Sequence, residues 1–439
     1  MSHNITGGTT VKISDSIESE IARGRLRPGD RLPAVRALAE ELGVNRNTVS
    51  AAYQRLAAAG IVVADGRRGT RITAAPPVAP VPGRTRPVPG VRCLEVGGPD
   101  PDLLPRLAPV LRRLDPPLRN YGEETNLPEL LEVGREYFAN DGFRKGRLAV
   151  ASGALDSLER VLRVHLRPGD AVGIEDPGFL AGVALVRSLG FQPVPIRIDE
   201  EGAIPDALQA ALRQRVRAII LTPRAQNPTG ASMTRSRARA LREVIATDPR
   251  LLVLEDDHCG PIAGAPAISV AYGHQGPWAM IRSVGKFLGP DLRLGFILGD
   301  EATVARLEGH MALGMRWVSH LLQHLVACLW ADRGVHRLVE KAARTYAMRR
   351  TTLIRALRDR GVQAQGRSGL NVWVPVAREV DAVQNLLQAG WAVAAGEGFR
   401  LASRPGIRIT TSTLRSEDSE RLAEDLAGIL SPAAMSSLA

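Results

Sequence analysis

Hydrophobic positions in the first sixty residues recur at helical spacing in three short segments. Their apolar faces are Ile13, Ile17 and Ile21 in the first segment, Val35, Leu38, Ala39 and Leu42 in the second, and Val49, Ala52, Tyr53 and Leu56 in the third. The first segment ends before the turn Arg27-Pro28-Gly29-Asp30, and Pro33 and Gly43 bound the second. Asn45 or Asn47 is the candidate N-cap of the third. The pattern predicts three helices with a tight turn between the last two.

Two short β-branched runs follow the third helix. Ile61-Val62-Val63 and Arg71-Ile72-Thr73 stand on either side of the basic, Gly-rich segment Asp65-Gly66-Arg67-Arg68-Gly69-Thr70. Such an arrangement predicts an antiparallel hairpin with a positively charged tip. Three helices and a hairpin are typical of a winged helix-turn-helix domain, here residues 1–73.

Residues 74–92 separate this domain from the rest of the chain. They contain six prolines, two glycines and three arginines, without a hydrophobic period. This composition predicts a semi-rigid, extended linker. The second domain is therefore expected to span residues 93–439.

The second domain alternates apolar runs with amphipathic helical stretches such as Leu155–His165 and Arg235–Ile245. The apolar runs are Leu148–Ala151, Ala171–Ile174, Arg217–Leu221, Leu251–Leu254, Met280–Ser283 and Leu292–Leu298. Strand and helix in alternation predict an α/β domain with a mostly parallel sheet that is buried on both faces.

The pattern changes at about residue 340. A long helix near Lys341–Leu357 precedes a strand at Val372–Val376, a helix near Val380–Leu387, strands at Val393 and Ile407, and a final helix. This order predicts a smaller α+β subdomain that completes the fold.

Composition excludes several classes of protein. The chain has 439 residues, of which 44% are hydrophobic and 23% charged, and it has no apolar stretch near the roughly 20 residues of a membrane span. A polar N-terminus without a signal sequence favours a cytoplasmic location. Cys93, Cys259 and Cys328 are far apart and fit neither a disulfide framework nor a zinc site. No membrane partner and no metal are expected.

The positive charge is concentrated in the first domain and its linker, and it indicates a polyanionic partner. Residues 1–92 hold 14 Arg or Lys and 7 Asp or Glu, which gives +7 of the chain's +11. The third helix begins with Arg46, Asn47 and Thr48, polar groups that suit base edges in the major groove of double-stranded DNA.

Other arginines of this domain suit the DNA backbone. Arg36, near the start of the second helix, and Arg67 and Arg68, at the hairpin tip, are candidates for phosphate or minor-groove contacts. The alternative is that the basic face is simply solvated on a protein-interaction domain.

The first domain resembles the DNA-binding domain of the GntR regulator family. The resemblance rests on the turn from Gly24 to Asp30, on Leu32-Pro33-Ala34-Val35-Arg36-Ala37-Leu38-Ala39, and on Arg46-Asn47-Thr48-Val49. It covers about residues 11–73 and implies binding to an operator.

Polar or small residues follow four of the predicted strands of the second domain. Ala151-Ser152-Gly153-Ala154-Leu155 suits an anion at a helix N-terminus, and Asn227 in Asn227-Pro228-Thr229-Gly230 offers an amide. Glu255-Asp256-Asp257-His258 offers carboxylates, although three acids in a row also suit a solvated strand end. Lys286 is one of only four lysines among 57 basic residues. Its amine can form a Schiff base with an aldehyde, although a lone lysine is commonly a surface residue.

Together these motifs resemble the fold-type I aminotransferase domain, from about Gly97 to Leu430. The matching segments are Gly98-Pro99-Asp100, Tyr121-Gly122, Glu175-Asp176-Pro177-Gly178-Phe179, Thr222-Pro223, Gln226-Asn227-Pro228-Thr229-Gly230, Glu255-Asp256-Asp257, Ser283 with Lys286, and Leu292-Arg293-Leu294-Gly295. Such a domain fused to a GntR-type winged helix resembles the MocR subfamily of transcriptional regulators. The resemblance implies pyridoxal 5′-phosphate as cofactor and a homodimer.

The resemblance also implies a role for individual residues. Lys286 would form the Schiff base, Asp256 would pair with the pyridine nitrogen, Asn227 would hydrogen-bond the ring oxygen and Phe179 would stack on the ring. Ser283, Arg293 and the amides near Ala154 would hold the phosphate, and Tyr121 would reach the phosphate of the neighbouring subunit. Arg408 would bind the carboxylate of a substrate or effector. The alternative for Arg408 is a surface arginine at a strand edge.

Five positions depart from the family pattern. His258 stands where Tyr is common, Ala154-Leu155 replaces a polar pair, Gly285 replaces Ser, and Asn371 stands where His is usual. Loss of two hydroxyl or amide donors on the phosphate side, at about 1 kcal/mol each, would weaken cofactor binding roughly tenfold or more without preventing it.

The expected function is therefore a DNA-binding regulator that senses pyridoxal 5′-phosphate or an amino-compound. One alternative is an aminotransferase with a fused DNA-binding domain, so that turnover is left open. The other is a regulator whose pocket no longer binds the cofactor.

Overall fold

The computed structural model describes residues 5–58, 61–64, 69–72, 89–117 and 119–431. Arg67, Arg68 and most of the predicted linker lie outside these ranges. The chain divides into two compact units, which are described separately, and residues 167–170 and 184–193 are grouped with the N-terminal unit. The domain limits at residues 73 and 93 stay predictions.

The N-terminal domain contains the three predicted helices and the predicted hairpin. Helices α1, α2 and α3 span Thr10–Ala22, Val35–Leu42 and Arg46–Ala58, and strands β1 (Val62–Ala64) and β2 (Thr70–Ile72) pair antiparallel. The predicted apolar positions form its core, although Ile21, Val35 and Leu42 are only partly buried. The helical spacing therefore identified the core of this domain.

Local chemistry sets the limits of these helices. Thr9 caps α1, because its side chain accepts a hydrogen bond from the Lys12 amide, and Gly43 ends α2 at a φ of +63°. The turn after α1 also adds to the hairpin, since the Leu32 amide donates to the Thr70 carbonyl oxygen and the Ile72 amide to the Asp30 carbonyl oxygen, both at 2.8 Å. The sequence analysis treated that segment as a turn only.

The larger unit is built on an eight-stranded sheet in the order β4-β11-β10-β9-β8-β5-β6-β7. Its strands are β4 (Arg147–Ala151), β5 (Ala171–Asp176), β6 (Gln192–Asp199), β7 (Gly202–Ala203), β8 (Ala218–Leu221), β9 (Leu252–Asp256), β10 (Trp278–Ser283) and β11 (Gly295–Gly299). Strands β5, β8, β9 and β10 are mutually parallel neighbours, whereas β11 runs antiparallel to both β10 and β4. The predicted α/β fold is confirmed, with a mixed sheet whose central strands are parallel.

Helices connect these strands. They are α4 (Ala108–Leu111), α5 (Pro128–Ala139), α6 (Ala154–His165), α7 (Leu180–Ser188), α8 (Pro205–Arg213), α9 (Arg235–Ile245), α10 (Glu301–Ala312) and α11 (His320–Ala331). The apolar faces of α5, α6, α8 and α9 are buried. Within the described ranges, no helix combines the length and apolar character needed to cross a membrane.

Two strands of the large sheet, β6 and β7, escaped the sequence analysis, and the start of β11 was misplaced. Strand β6 lies towards the end of the sheet, contains two prolines and carries exposed positions, so it lacks a continuous apolar run. The strand expected at Leu292–Leu298 begins only at Gly295, because Pro290–Leu292 form a 3-10 turn and Arg293 adopts a left-handed φ of +42°.

The C-terminal part forms the expected small α+β subdomain. It contains α12 (Arg333–Asp359), β12 (Asn371–Pro375), α13 (Glu379–Gln388), β13 (Trp391–Ala392), β14 (Ala394–Ala395), β15 (Gly406–Thr410) and α14 (Ser416–Leu430), with β15 between β12 and β14. Strand β3 (Arg92–Cys93) pairs parallel to β13, and Leu94 enters the same core. The start of the second domain therefore belongs to this subdomain, which the sequence analysis did not assign.

Helix α12 joins the two cores of this unit. Tyr346, in its first half, packs in the core of the large sheet, and Leu353 and Leu357, in its second half, pack in the small subdomain. The boundary expected near residue 340 therefore lies inside a continuous helix.

Candidate cofactor site and DNA-binding helix

Lys286 lies just beyond the end of β10, partly buried. Its amine donates a hydrogen bond to the carbonyl oxygen of Gly97, which is 189 positions away in the chain. Burial lowers the pKa of this amine, and the positive charge of Arg408 lowers it further. A lowered pKa raises the share of neutral amine, the form that attacks an aldehyde.

Asp256 ends the neighbouring strand β9 and is buried. Burial, together with the charge of Asp257, raises the pKa of its carboxyl to about 7, against the opposing effect of Lys286. Its buried Oδ1 has no hydrogen-bond partner within the described part of the chain. A buried oxygen without a partner is costly unless a ligand satisfies it. A protonated pyridine nitrogen is a donor of the right kind, so this residue fits pyridoxal 5′-phosphate.

The interpretation of Glu255, Asp256 and Asp257 as a solvated strand end is wrong, because all three side chains are buried. Glu255 accepts hydrogen bonds from the Ser269 hydroxyl at 2.5 Å and from the Val270 amide at 2.6 Å. The three adjacent carboxyl groups therefore differ in their hydrogen-bond partners.

Asn227 follows β8 and meets two residues of the small subdomain. Its Oδ1 accepts hydrogen bonds from Arg408 Nη1 at 3.0 Å and from Asn371 Nδ2 at 3.4 Å. Asn371 is fixed in turn, because its Oδ1 accepts from the Thr410 hydroxyl at 3.0 Å. The departure at Asn371 therefore places an amide donor beside Asn227.

Arg408 is buried on β15, the central strand of its sheet. Its guanidinium lies 4.7 Å from the centre of the Phe399 ring and donates to the carbonyl oxygen of Glu95. Burial lowers its pKa to about 10, so the side chain stays positive at neutral pH. The alternative of a surface arginine at a strand edge is wrong. A fixed, desolvated guanidinium suits recognition of a carboxylate.

The turn before α6 lies beside Arg293 and is the candidate site for the phosphate. Gly153 has a φ of +92° and precedes Ala154, the first residue of the helix, and a helix N-terminus favours an anion. Arg293 Nη2 donates to the Ser152 carbonyl oxygen at 3.4 Å. Ser283 lies at the end of β10, and its hydroxyl accepts from the Gly285 amide at 3.1 Å. Although Ala154-Leu155 replaces the polar pair of the family, the backbone amides and the guanidinium of Arg293 remain there as hydrogen-bond donors.

His258 follows the buried acids and is neutral at physiological pH. Burial and the positive charge of Lys286 lower the pKa of its imidazole to about 4. The substituted position therefore offers a neutral ring nitrogen near the lysine.

The remaining two candidates are more exposed. The Phe179 side chain is 38% exposed, and the preceding Gly178 amide donates to the Phe399 carbonyl oxygen at 2.8 Å. Tyr121 is 81% exposed, and its ring lies 6.0 Å from that of Trp317. No contact described in this structure joins Tyr121 to the other candidates.

Three contributions to the site escaped the sequence analysis. Gly97 provides the acceptor for Lys286, Phe399 lies against Arg408, and Arg224 pairs with Asp257 through two hydrogen bonds. A carbonyl oxygen and a packing ring leave no signal in the sequence. Arg224 did leave one, because a charged residue close behind a fully apolar strand needs a buried partner.

Helix α3, the candidate recognition helix for DNA, begins with the expected polar residues. Asn45 is its cap, since its Oδ1 accepts from the Asn47 amide at 2.8 Å, which decides between the two candidates. The side chains of Arg46 and Asn47 are exposed and that of Thr48 is partly buried. Arg36 is exposed on α2 and lies 3.3 Å from Glu40.

Comparison with protein families matches both domains. Residues 9–72 match the family of bacterial regulatory proteins, gntR family, and residues 94–426, more than half of the chain, match aminotransferase class I and II. Pyridoxal 5′-phosphate is the cofactor of the aminotransferase family.

Known proteins resemble the chain over nearly its whole length. The vitamin B6 salvage pathway transcriptional repressor PtsJ of Salmonella typhimurium is 42% identical over 96% of this chain and 98% of its own. The HTH-type transcriptional regulator TauR of Rhodobacter capsulatus is 28% identical over 85% of both chains.

A solved structure resembles the fold of the second domain. An archaeal alanine:glyoxylate aminotransferase superposes with a TM-score of 0.70 at 21% identity, over 77% of this chain and 90% of its own. The match to the gntR family accounts for the winged helix as a DNA-binding domain, in place of a protein-interaction domain. The chain therefore belongs to the MocR-type GntR transcriptional regulators, which join a GntR DNA-binding domain to a class I and II aminotransferase domain.

Proposed function

We propose that this regulator binds pyridoxal 5′-phosphate through Lys286 and that the cofactor itself is the signal that changes operator binding. The observation that carries the proposal is the pair formed by Asp256 and Lys286 at adjacent strand ends. Asp256 offers a buried oxygen that needs a donor, and Lys286 offers an amine with a lowered pKa. When bound, the cofactor supplies an aldehyde and an electron-withdrawing ring.

The other candidate residues would hold the cofactor at its edges. Asn227 would contact the ring oxygen, Phe179 would cover one face of the ring, and His258 would offer a neutral nitrogen beside the lysine. Arg293, Ser283 and the amides near Ala154 would hold the phosphate. Each role is assigned from the family resemblance, and the surroundings of each side chain are compatible with it.

The relative from Salmonella typhimurium supports the cofactor as the signal, because its name places it in vitamin B6 salvage. Pyridoxal 5′-phosphate, the product of that pathway, is a suitable signal for a regulator of the pathway. An amino-compound that exchanges with Lys286 is the alternative signal.

We further propose that the protein acts on DNA as a homodimer. Arg46, Asn47 and Thr48 would read base edges, and Arg36, Arg67 and Arg68 would contact the backbone. Two winged helices suit two half-sites of an operator. The exposed Tyr121 would complete the phosphate site of the partner subunit.

The test is a titration of the full-length protein with pyridoxal 5′-phosphate, followed by its visible absorbance. We expect a new band in the wild type and in Lys341→Ala, a matched control because Lys341 is exposed on α12. Lys286→Ala should lose the band. Operator affinity, measured on a fragment selected by the protein from random DNA, should change with cofactor in the wild type and in Lys341→Ala but not in Lys286→Ala. A wild type without a band would overturn the proposal.

A second candidate function is transamination, which the position of Arg408 favours. This buried guanidinium beside Asn227 suits the carboxylate of an amino acid. Incubation of the loaded protein with an amino acid and a keto acid separates the two functions. More than one product per protein molecule supports an enzyme, and a single turnover or none supports the regulator.

A further inference from the structure

A cluster of four charged side chains lies beneath the cofactor site. Arg224 donates to both carboxylate oxygens of Asp257, from Nε at 2.9 Å and from Nη2 at 2.7 Å. Arg282 Nε lies 3.0 Å from Asp257 Oδ2, and its Nη2 donates to Asp141 Oδ2 at 2.6 Å. Arg224 Nη2 also reaches Asp141, at 3.4 Å. Two positive and two negative charges therefore balance within one connected group.

The cluster is buried, so its charges have few other partners. Asp257, Arg224 and Arg282 are almost inaccessible to solvent, and only Asp141 is partly exposed, at 30%. The guanidinium of Arg282 also lies 4.6 Å from the centre of the Phe138 ring. Burial alone would raise the pKa of Asp257, but the two arginines lower it to about 2. The Asp257 carboxyl is therefore ionised at neutral pH.

Each inner member of the cluster is close in sequence to a candidate cofactor residue. Arg224 precedes Asn227 by three positions, Asp257 adjoins Asp256, and Arg282 adjoins Ser283. These residues stand at the ends of β8, β9 and β10, which are neighbours in the sheet. The cluster therefore ties together three strand ends that carry cofactor residues.

Bidentate geometry makes this link rigid. A guanidinium that donates two parallel hydrogen bonds to one carboxylate fixes both the distance and the plane of the two side chains. Asp257 is also held by its backbone, since its amide donates to the Ile281 carbonyl oxygen at 2.9 Å. Because a buried ion pair contributes little net stability compared with apolar packing, its effect is better sought in conformational specificity.

We infer that Arg224, Arg282, Asp257 and Asp141 are positioning residues that hold Asn227, Asp256 and Ser283 at the spacing that the cofactor requires. The inference rests on the proposed cofactor site. None of the four is expected to touch the cofactor. Removing one charge should loosen the strand ends and weaken binding even where the chain stays folded.

The cluster also affects the charge of Asp256. The neighbouring Asp257 carboxylate raises the pKa of Asp256, because a second negative charge disfavours ionisation. A neutral side chain at position 257 would leave the two arginines in excess and make the site more positive. Protonated groups of the site would then lose their protons at lower pH.

The experiment compares Asp257→Asn with Glu255→Gln in the full-length protein. Glu255 is a matched control, because it is a buried, hydrogen-bonded carboxyl only two positions from Asp257 and lies outside the cluster. We expect Asp257→Asn to weaken pyridoxal 5′-phosphate binding at least tenfold and to move the pH midpoint of the visible band to lower pH. Glu255→Gln should keep the dissociation constant within about threefold. Thermal unfolding of the cofactor-free proteins measures the general loss of stability.

The outcomes separate the inference from the proposed function. A wild type without a band overturns both. A wild-type band, with equal dissociation constants and pH midpoints in the two variants, overturns the inference alone. If Asp257→Asn does not fold, Asp141→Asn is the variant that tests the inference, because the Asp141 carboxylate is partly exposed and lies at the rim of the cluster. That variant should bind at least threefold more weakly than wild type, and unchanged binding overturns the inference.

Discussion

At the scale of single residues, burial and neighbouring charges give similar side chains different protonation states. Asp256 and Asp257 are adjacent, yet the pKa of the first is raised to about 7 and that of the second is lowered to about 2. The difference follows from the partners, since Asp257 binds two arginines and Asp256 retains an oxygen without a partner among the described residues. Asp257 is therefore engaged in structural ion pairs, whereas Asp256 keeps an oxygen that the proposed cofactor would pair with.

Glu175 provides a prediction at this scale. Burial raises the pKa of its carboxyl to about 8, partly offset by hydrogen bonds from Thr222 and Gln226. The folded state then keeps a proton that the unfolded state loses above pH 4.5, so this group lowers stability as pH rises towards 8. Glu175→Gln should make that decline shallower, by up to about 1.4 kcal/mol per pH unit.

Urea unfolding of the cofactor-free protein at pH 5.5, 6.5 and 7.5 measures this slope. Glu200→Gln is the control, because Glu200 is exposed on the segment after β6 and should leave the slope unchanged. A Glu175→Gln protein with the wild-type slope would show that the carboxyl titrates normally.

At the scale of elements, the recognition helix combines a buried apolar face with a polar first turn. Val49, Ala52 and Leu56 pack in the domain core, and the cap at Asn45 leaves Arg46 and Asn47 exposed. Core packing and the proposed contact with DNA therefore use different faces of one helix. Changes on the exposed face should affect DNA binding without disturbing the fold.

Arg46→Ala and Arg36→Ala test this division. If Arg46 contacts a base edge, its loss should cost about 1–3 kcal/mol of operator binding and relax the sequence preference. If Arg36 contacts a phosphate, its loss should weaken binding to all DNA sequences alike. The slope of log affinity against log salt concentration should then fall by about one.

Fluorescence anisotropy on operator and random duplexes at several salt concentrations measures both effects. The cofactor spectrum should be unchanged in both variants. Loss of the spectrum in Arg46→Ala would contradict the separation of the two activities.

At the scale of the whole molecule, the proposed homodimer assigns Tyr121, which is exposed in the single chain, to the site of the partner subunit. Its ring contacts Trp317, and the guanidinium of Arg316 lies 5.3 Å from the ring centre. Tyr121, Trp317 and Arg316 line a cleft of about 960 Å³. Its other lining residues include Pro116, Pro117, Arg119 and His320. A large, partly aromatic and open cleft suits a second copy of the chain.

A mixed dimer tests whether Tyr121 acts across the interface. We expect dimers of Lys286→Ala and dimers of Tyr121→Ala to bind pyridoxal 5′-phosphate poorly. A heterodimer of the two, purified with two different tags, should regain one site of wild-type affinity, because one subunit keeps the lysine and the other keeps the tyrosine.

Absorbance titration counts the restored sites. If Tyr121 served its own subunit, the heterodimer would contain no intact site and would bind as poorly as its parents. Size-exclusion chromatography with light scattering confirms that each sample is dimeric.

The sequence predicted the elements that depend on local pattern. Helical spacing identified α1, α2 and α3, and continuous apolar runs identified β4, β5, β8, β9 and β10. The candidate residues at the strand ends were found in the same way, because a polar residue directly after a buried strand lies at the carboxyl edge of the sheet. Strand β6 was missed because its prolines and exposed positions hide the period.

The sequence by itself thus determined the two domains' types, the order of most elements and the identity of Lys286, Asp256 and Asn227 as candidates. Only the tertiary structure decided that Arg408 is buried beside Asn227 and that Glu95 lies against Arg408, 313 positions away in the chain. Local spacing reports which face of an element is apolar. It does not predict which distant charge, carbonyl oxygen or ring contacts that face, since those contacts form only when the elements pack.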